Sequence, residues 1–231
     1  MTSSGATTFR TRVRGLAEPI ARGFGRLGLT PNHLTLIGFG IAILAAAAAV
    51  GQEWLLAGLL VLFGGAFDLL DGALARATGR VSRFGAFMDS VFDRWGEGVI
   101  YVGIAYGCVL AGFGLGAVLA AAALASAVMV SYTRAKSEGL GFTSGTGMAS
   151  VGLAPREVRI VLLALGLVGT SALGGLNVIY DTGFGGYAWF GVHDGSRVIA
   201  LALGLIAILA TITTLQRIVH VVNQSRGDSN S

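Results

Sequence analysis

Cysteine occurs once in the 231 residues, as Cys108 within an apolar run, which excludes a disulfide framework and leaves a buried small hydrophobe. Charge is scarce as well. Only 12% of residues are charged against 54% hydrophobic, and the mean hydropathy is +0.74, which excludes an ordinary soluble domain of this length. Such a chain needs lipid as its solvent. No cleavable signal is expected, because Arg10, Arg12 and Arg14 precede an amphipathic stretch with no compact apolar core and no small-residue cleavage site. No repeat of fixed period is present, and the alanine runs 45–49 and 120–123 are good helix filler. The net charge of +4 and pI near 9.7 come from arginines set in a hydrophobic chain, which fits loops facing anionic lipid headgroups and excludes nucleic acid as a partner.

What is present is a series of long apolar stretches. Between Phe9 and Leu27, apolar residues at three- and four-residue spacing alternate with Arg10, Arg12, Arg14, Arg22 and Arg26, the pattern of an interfacial amphipathic helix. Thr30 as N-cap and Pro31 at the first helical position start a span from about Asn32 to Val50, ended by Gly51-Gln52-Glu53. Further spans are predicted over Trp54–Ala77, Ser82–Leu110, from the glycines at 112, 114 and 116 to Tyr132, over Arg156–Leu173 and over Arg197–Val222. Residues 137–155 and 174–195 read as loops. The expected fold is all-α: six transmembrane helices (31–223) preceded by a tail and interfacial helix (1–30) and followed by a C-terminal tail (224–231).

Charge bias orients this bundle. With a cytoplasmic N-terminus, fourteen of the sixteen basic residues lie on the cytoplasmic side, leaving only Arg94 within the third span and Arg197 at the opposite face. Both termini are then cytoplasmic, and a multi-pass protein of the cell inner membrane is expected.

Carboxylates inside spans are costly and default to function. The second span carries Asp68 and Asp71 at i, i+3, and the third carries Asp89 and Asp93 at i, i+4, so each pair shares a helical face. Read as antiparallel neighbours joined by a short loop, the two helices bring all four acids to one depth, on the order of 10 Å below the loop. Four like charges at low dielectric need cations, and hard divalent ions such as Mg²⁺ prefer oxygen ligands, which points to a two-metal site. No His or Cys joins the constellation, which weighs against zinc. The competing reading is a set of buried ion pairs to Arg76, Arg94 and their neighbours.

Asp68-x-x-Asp71-Gly72-x-x-Ala75-Arg76, then eight residues, then Gly85-x-x-x-Asp89-x-x-x-Asp93 resembles the complete motif of the CDP-alcohol phosphatidyltransferases. The resemblance implies two Mg²⁺ ions (Mn²⁺ as a substitute) on Asp68, Asp71, Asp89 and Asp93, with Asp93 as general base, acting on CDP-diacylglycerol. It also implies a CDP-lipid set: Pro31, Asn32, His33, Leu34 and Thr35 from a Pro-Asn-x-x-Thr element, with Gly72, Arg76, Ser82 and Gly85. Gly72 reads equally as a helix-packing residue, and His33 as a helix-start residue. The family also implies a homodimer.

For the acceptor, Ser131-Tyr132-Thr133-Arg134-Ala135-Lys136-Ser137-Glu138 and Gln216-Arg217 resemble the phosphatidylinositol phosphate synthases and their archaetidyl counterparts. That likeness implies that Arg134, Arg156 and Arg217 hold the phosphate of 1L-myo-inositol 1-phosphate, with Lys136 and Arg159 as further candidates. Pro155-Arg156-Glu157 departs from the Glu-Arg common in that group. The basic cluster suits a phosphorylated acceptor through guanidinium forks, and reads otherwise as positive-inside charge without a ligand. sn-Glycerol 3-phosphate or serine is the alternative acceptor. A cation transporter would spread its acids through the membrane, whereas these gather near one face, and a dead scaffold would have lost motif positions.

Overall fold

A capping box starts the first helix. The Thr30 hydroxyl accepts from the His33 amide at 3.3 Å, and the His33 imidazole accepts from the Thr30 amide at 3.4 Å, with Pro31 at the first helical position. The computed structural model describes residues 19–21, 23–142, 151–176 and 194–228. Six long helices follow in chain order: α1 (Pro31–Val50), α2 (Trp54–Ala77), α3 (Arg83–Leu110), α4 (Gly114–Gly139), α5 (Arg156–Ala172) and α6 (Asp194–Asp228). No strand occurs among the described residues.

Each helix packs against two others, and the pairings close a ring in the order α1, α2, α5, α6, α4, α3 and back to α1. Small residues make the α1–α3 contact close. A methyl group at Gly103 would come 2.6 Å from the Ala46 carbonyl oxygen, and one at Gly107 would come 2.2 Å from that of Ala49. The core inside the ring gathers Trp54, Tyr101, Ile104, Phe113, Leu163, Leu167, Ile199 and Leu203. Large apolar side chains also face outward, among them Leu44, Phe63, Leu165, Leu201 and Ile208, each more than half exposed. An apolar exterior over an apolar core is the pattern of a protein solvated by lipid. Helices α1, α2, α4 and α6 are long and apolar enough to cross a membrane. Helix α3 carries Asp89, Asp93, Arg94 and Glu97, and α5 has 17 residues.

Several expected boundaries move. Helix α4 continues past Tyr132 to Gly139, because Arg134 and Glu138 pair at i, i+4 (2.8 Å) and the Ser137 hydroxyl bonds the Arg134 carbonyl at 2.9 Å. The loop expected from 137 therefore begins after the helix. Helix α6 starts at Asp194 and runs to Asp228, so the expected C-terminal tail from 224 begins inside it; no proline or glycine interrupts the chain between Val222 and Arg226. The interfacial helix expected over Phe9–Leu27 lies mostly outside the described residues. Its described end is helical to residue 26 and seats Ala21 and Phe24 against Leu34 and Leu74. Of the loop expected over 174–195, residues 177–193 also lie outside them.

Candidate active site

Helices α2 and α3 follow one another in sequence but do not pack along each other. Helix α1 packs against both, and the carboxylates converge beside it, Asp68 and Asp93 within reach of one Arg156 nitrogen. This corrects the expectation of neighbouring helices: the close α1–α3 contact at Gly103 and Gly107 draws α3 to the far side of α1. A cleft between α1, α2, α3 and α5 has about 550 Å³ of space between atoms, open solvent included. Its polar end presents Thr35, Asp68, Asp93, Glu97, Arg156 and Arg159, and the remainder is apolar, including Phe39, Leu60, Val61, Phe92, Ile100 and Leu163. Such a cleft suits an amphiphile with one charged end.

Arg156, at the first turn of α5, is the cation that joins the motif carboxylates at this end. Its Nη1 donates to Asp68 Oδ2 and, at 3.0 Å, to Asp93 Oδ2, joining a carboxylate of α2 to one of α3. Its Nε is buried with no hydrogen-bond partner among the described residues. Asp71 is buried and accepts from the Thr35 hydroxyl at 2.9 Å. Asp89 lies within electrostatic reach of Asp68, Asp71 and Asp93. The four acids therefore share one end of the bundle, as their spacing predicts. Among the described residues, no three of them gather around a single point. Like charges repel strongly where solvent is scarce, and the guanidinium between Asp68 and Asp93 supplies the local counter-charge. The ion pairs expected as the competing reading involve Arg156 and not Arg76, which is exposed beside the loop.

One acid and one base of the site lie outside the motif. Glu97, one turn beyond Asp93, is buried and takes a two-pronged bond from Arg159, Nε to Oε1 and Nη2 to Oε2, both at 2.8 Å. Arg159 Nη1 also donates to the Ala154 carbonyl at 3.0 Å, and its side chain is 1% exposed. Arg159, expected as a further acceptor candidate, is thus buried at the cavity wall with its donors on Glu97 and Ala154. The i+4 spacing from Asp93 was the signal for Glu97.

The residues expected to meet the CDP-lipid divide. Asn32 brings its side-chain oxygen to Gly85, where a methyl group would lie 3.5 Å away, and Ser82 caps α3 through the Gly85 amide at 3.0 Å. Arg76 folds back over Gly72, a methyl group there lying 3.2 Å from its Nη1. Pro31, Asn32, Thr35, Gly72, Arg76, Ser82 and Gly85 thus line the ends of α1, α2 and α3. His33 uses Nδ1 in the cap and is exposed, whereas Leu34 is fully buried in an apolar cluster with Ala73 and Leu74. Of the other basic candidates, Arg134 pairs with Glu138 and Lys136 is exposed. Arg217 is buried, with Nε on the Val151 carbonyl at 3.0 Å and Nη1 on that of Val130. It lies within electrostatic reach of Arg134 and Arg159.

The donor set suits a hard divalent cation: carboxylate oxygens from two helices, with no sulfur or imidazole among them and a positive group already held between two of them.

The profile of the CDP-alcohol phosphatidyltransferases matches residues 28–223. The chain belongs to this family. It is accordingly a CDP-alcohol phosphatidyltransferase, a membrane enzyme of phospholipid synthesis. This phosphatidyltransferase is 40% identical over 154 residues to the archaetidylinositol phosphate synthase of Pyrococcus horikoshii, covering 67% of this chain and 77% of that one. It is 34% identical over 224 residues to the phosphatidylinositol phosphate synthase of Streptomyces avermitilis, covering 95% and 82%. Its fold is similar to crystal structures of Mycobacterium tuberculosis phosphatidylinositol phosphate synthase, at 26% identity. With CDP-DAG bound, the TM-score is 0.69 over 89% of this chain and 92% of that one. In complex with manganese and citrate, it is 0.69 over 89% and 88%.

Proposed function

We propose that this phosphatidyltransferase joins CDP-diacylglycerol to 1L-myo-inositol 1-phosphate, giving phosphatidylinositol phosphate and CMP. The observation that carries the reading is the one-ended cavity, with carboxylates and Arg156 at its polar end and an apolar remainder between four helices. The names of the relatives from Pyrococcus and Streptomyces, both synthases of an inositol phosphate lipid, support the acceptor. The CDP-DAG-bound neighbour supports the donor, and the manganese complex supports a divalent cation.

Asp68, Asp71, Asp89 and Asp93 would hold Mg²⁺, two ions by family resemblance and replaceable by Mn²⁺. Once bound, the metal would supply positive charge against the pyrophosphate. Asn32, Thr35, Gly72, Arg76, Ser82 and Gly85 border the CDP moiety. Asp93 takes the proton of the acceptor hydroxyl. The hydroxyl oxygen then bonds the β-phosphorus as the bond from that phosphorus to the bridging oxygen breaks, and CMP leaves with the electron pair. Arg156, with Arg134 and Arg217, binds the acceptor's phosphate; the buried, unpartnered Nε of Arg156 is a donor whose desolvation costs about 1–3 kcal/mol unless a ligand meets it.

All six helices cross the membrane, α3 and α5 covered on both sides by their ring neighbours, and the stretch over Phe9–Leu27 lies in the interface. The basic bias puts both termini and the site on the cytoplasmic side of the inner membrane, and a homodimer is the assembly. Purified enzyme with labelled CDP-diacylglycerol and Mg²⁺ is to be offered inositol 1-phosphate, sn-glycerol 3-phosphate and serine in turn. CMP release that needs inositol 1-phosphate supports the reading; release with another alcohol and not with this one sinks it.

A further inference from the structure

Arg156 has no long element behind it. It stands at the first turn of α5, directly after the segment 151–155, and that segment is held from two sides. On one side, Thr213 of α6 receives two backbone amides on a single hydroxyl oxygen, Leu153 at 3.1 Å and Ala154 at 2.9 Å, while donating to the Leu209 carbonyl at 2.8 Å. Thr213 is fully buried, and the segment approaches it closely at Gly152. The backbone there has φ +124°, and a methyl group would meet the Thr213 Cγ2 at 2.2 Å. On the other side, the Ala154 carbonyl accepts from Arg159, whose fork is fixed on Glu97 of α3. One continuous chain of hydrogen bonds thus runs from α3 through Glu97, Arg159, Ala154 and Thr213 to α6. It passes two residues before Arg156 and three after it.

We propose that Thr213 and Glu97 are positioning residues that set the Arg156 guanidinium against the carboxylates and so tune affinity for the phosphorylated acceptor. The inference rests on the reading of Arg156 as an acceptor ligand. Apart from the Arg156–Asp68 pair itself, helix α5 meets α2 through apolar contacts, including Gly58 against Val168 and Ala164, which set no hydrogen-bond register. The polar chain supplies the register that these contacts lack, since each buried donor and acceptor has one geometry in which it is satisfied.

The test measures KM for 1L-myo-inositol 1-phosphate and for CDP-diacylglycerol in Thr213→Val, Thr213→Ser, Glu97→Gln, Arg156→Ala and the double variant Thr213→Val/Arg156→Ala. Thermal stability in detergent is read alongside. Thr213→Val keeps the side-chain volume and removes the shared acceptor. It is expected to raise the acceptor KM roughly tenfold or more, within the hundredfold a 1 Å misplacement can cost, and to leave the CDP-diacylglycerol KM unchanged. Thr213→Ser should restore the wild-type value, and the effect of Thr213→Val should vanish in the Arg156→Ala background. Glu97→Gln should raise the same KM wherever it folds. If Thr213→Val lowers stability or the active fraction while leaving both KM values alone, the residue is structural only and the inference is overturned. No turnover with inositol 1-phosphate, or an Arg156→Ala variant with unchanged acceptor KM, overturns the functional reading instead.

Discussion

Removing Arg156 should tighten metal binding while weakening the enzyme. Its guanidinium joins Asp68 and Asp93, with side-chain exposures of 28%, 20% and 18%, so the contact is partly screened. Two charge-assisted hydrogen bonds are worth about 1.5–3 kcal/mol each before the cost of partial desolvation. That cost leaves a net of about 1–2 kcal/mol with which the arginine competes for the same oxygens, or roughly five- to thirtyfold in an equilibrium constant. Arg156→Ala is therefore expected to bind Mn²⁺ about five- to thirtyfold more tightly, titrated by the loss of the free Mn²⁺ electron paramagnetic resonance signal in detergent without substrates. The same variant should still turn over inositol 1-phosphate, but only at a raised acceptor KM. Unchanged or weakened Mn²⁺ binding would show that guanidinium and metal do not share Asp68 and Asp93, and the assigned ligand set would fall with it.

Asp93→Asn should lower CMP release by about 10²–10⁴-fold, the range of a lost general base, with an unaltered melting temperature; residual activity near wild type would reassign the proton acceptor. Thr35→Val removes the 2.9 Å donor to Asp71 and should weaken Mn²⁺ binding or activity about ten- to a hundredfold, with Thr35→Ser recovering it. Gly107→Ala drives a methyl group to 2.2 Å from the Ala49 carbonyl oxygen and should cost about 1–3 kcal/mol, read as a lower melting temperature in detergent. A melting temperature that holds would mean α1 and α3 part more easily than their packing suggests.

Much of the secondary structure is legible because strong local signals mark it. Thr30-Pro31 and Ser82 act at helix starts as their chemistry predicts, and α2 spans the expected Trp54–Ala77. The end of α4 is not legible from hydropathy, since Arg134, Ser137 and Glu138 are polar yet satisfy one another within a helix. Nor is the order of helices around the ring, because adjacency in sequence says little about adjacency in space. The trace of it was Gly103 and Gly107, whose missing side chains admit α1 and which by themselves read as ordinary membrane-helix glycines. The site shows the same division. Carboxylates at i, i+3 and i, i+4 announce themselves in an apolar chain, whereas Thr213 is one more small residue in a helix until the backbone of a distant segment arrives on its hydroxyl.

The placement of α1 between α2 and α3 has a chemical consequence. Parted by α1 and bounded by α5, α2 and α3 put Asp68 and Asp93 on the wall of a cleft with about 550 Å³ of space, open solvent included. Its apolar lining lets a lipid-linked substrate bring its phosphates to the carboxylate end without leaving a hydrophobic environment. A water-soluble acceptor must reach that end from the opposite direction. Arg156, held by α3 and α6 through their hydrogen-bond chain, stands where the two routes meet, so the same guanidinium that balances the acids can meet an incoming phosphate. On the proposed assignment of Arg156, the charge that keeps this end of the bundle stable and the charge that recognises a phosphorylated alcohol reside in one side chain.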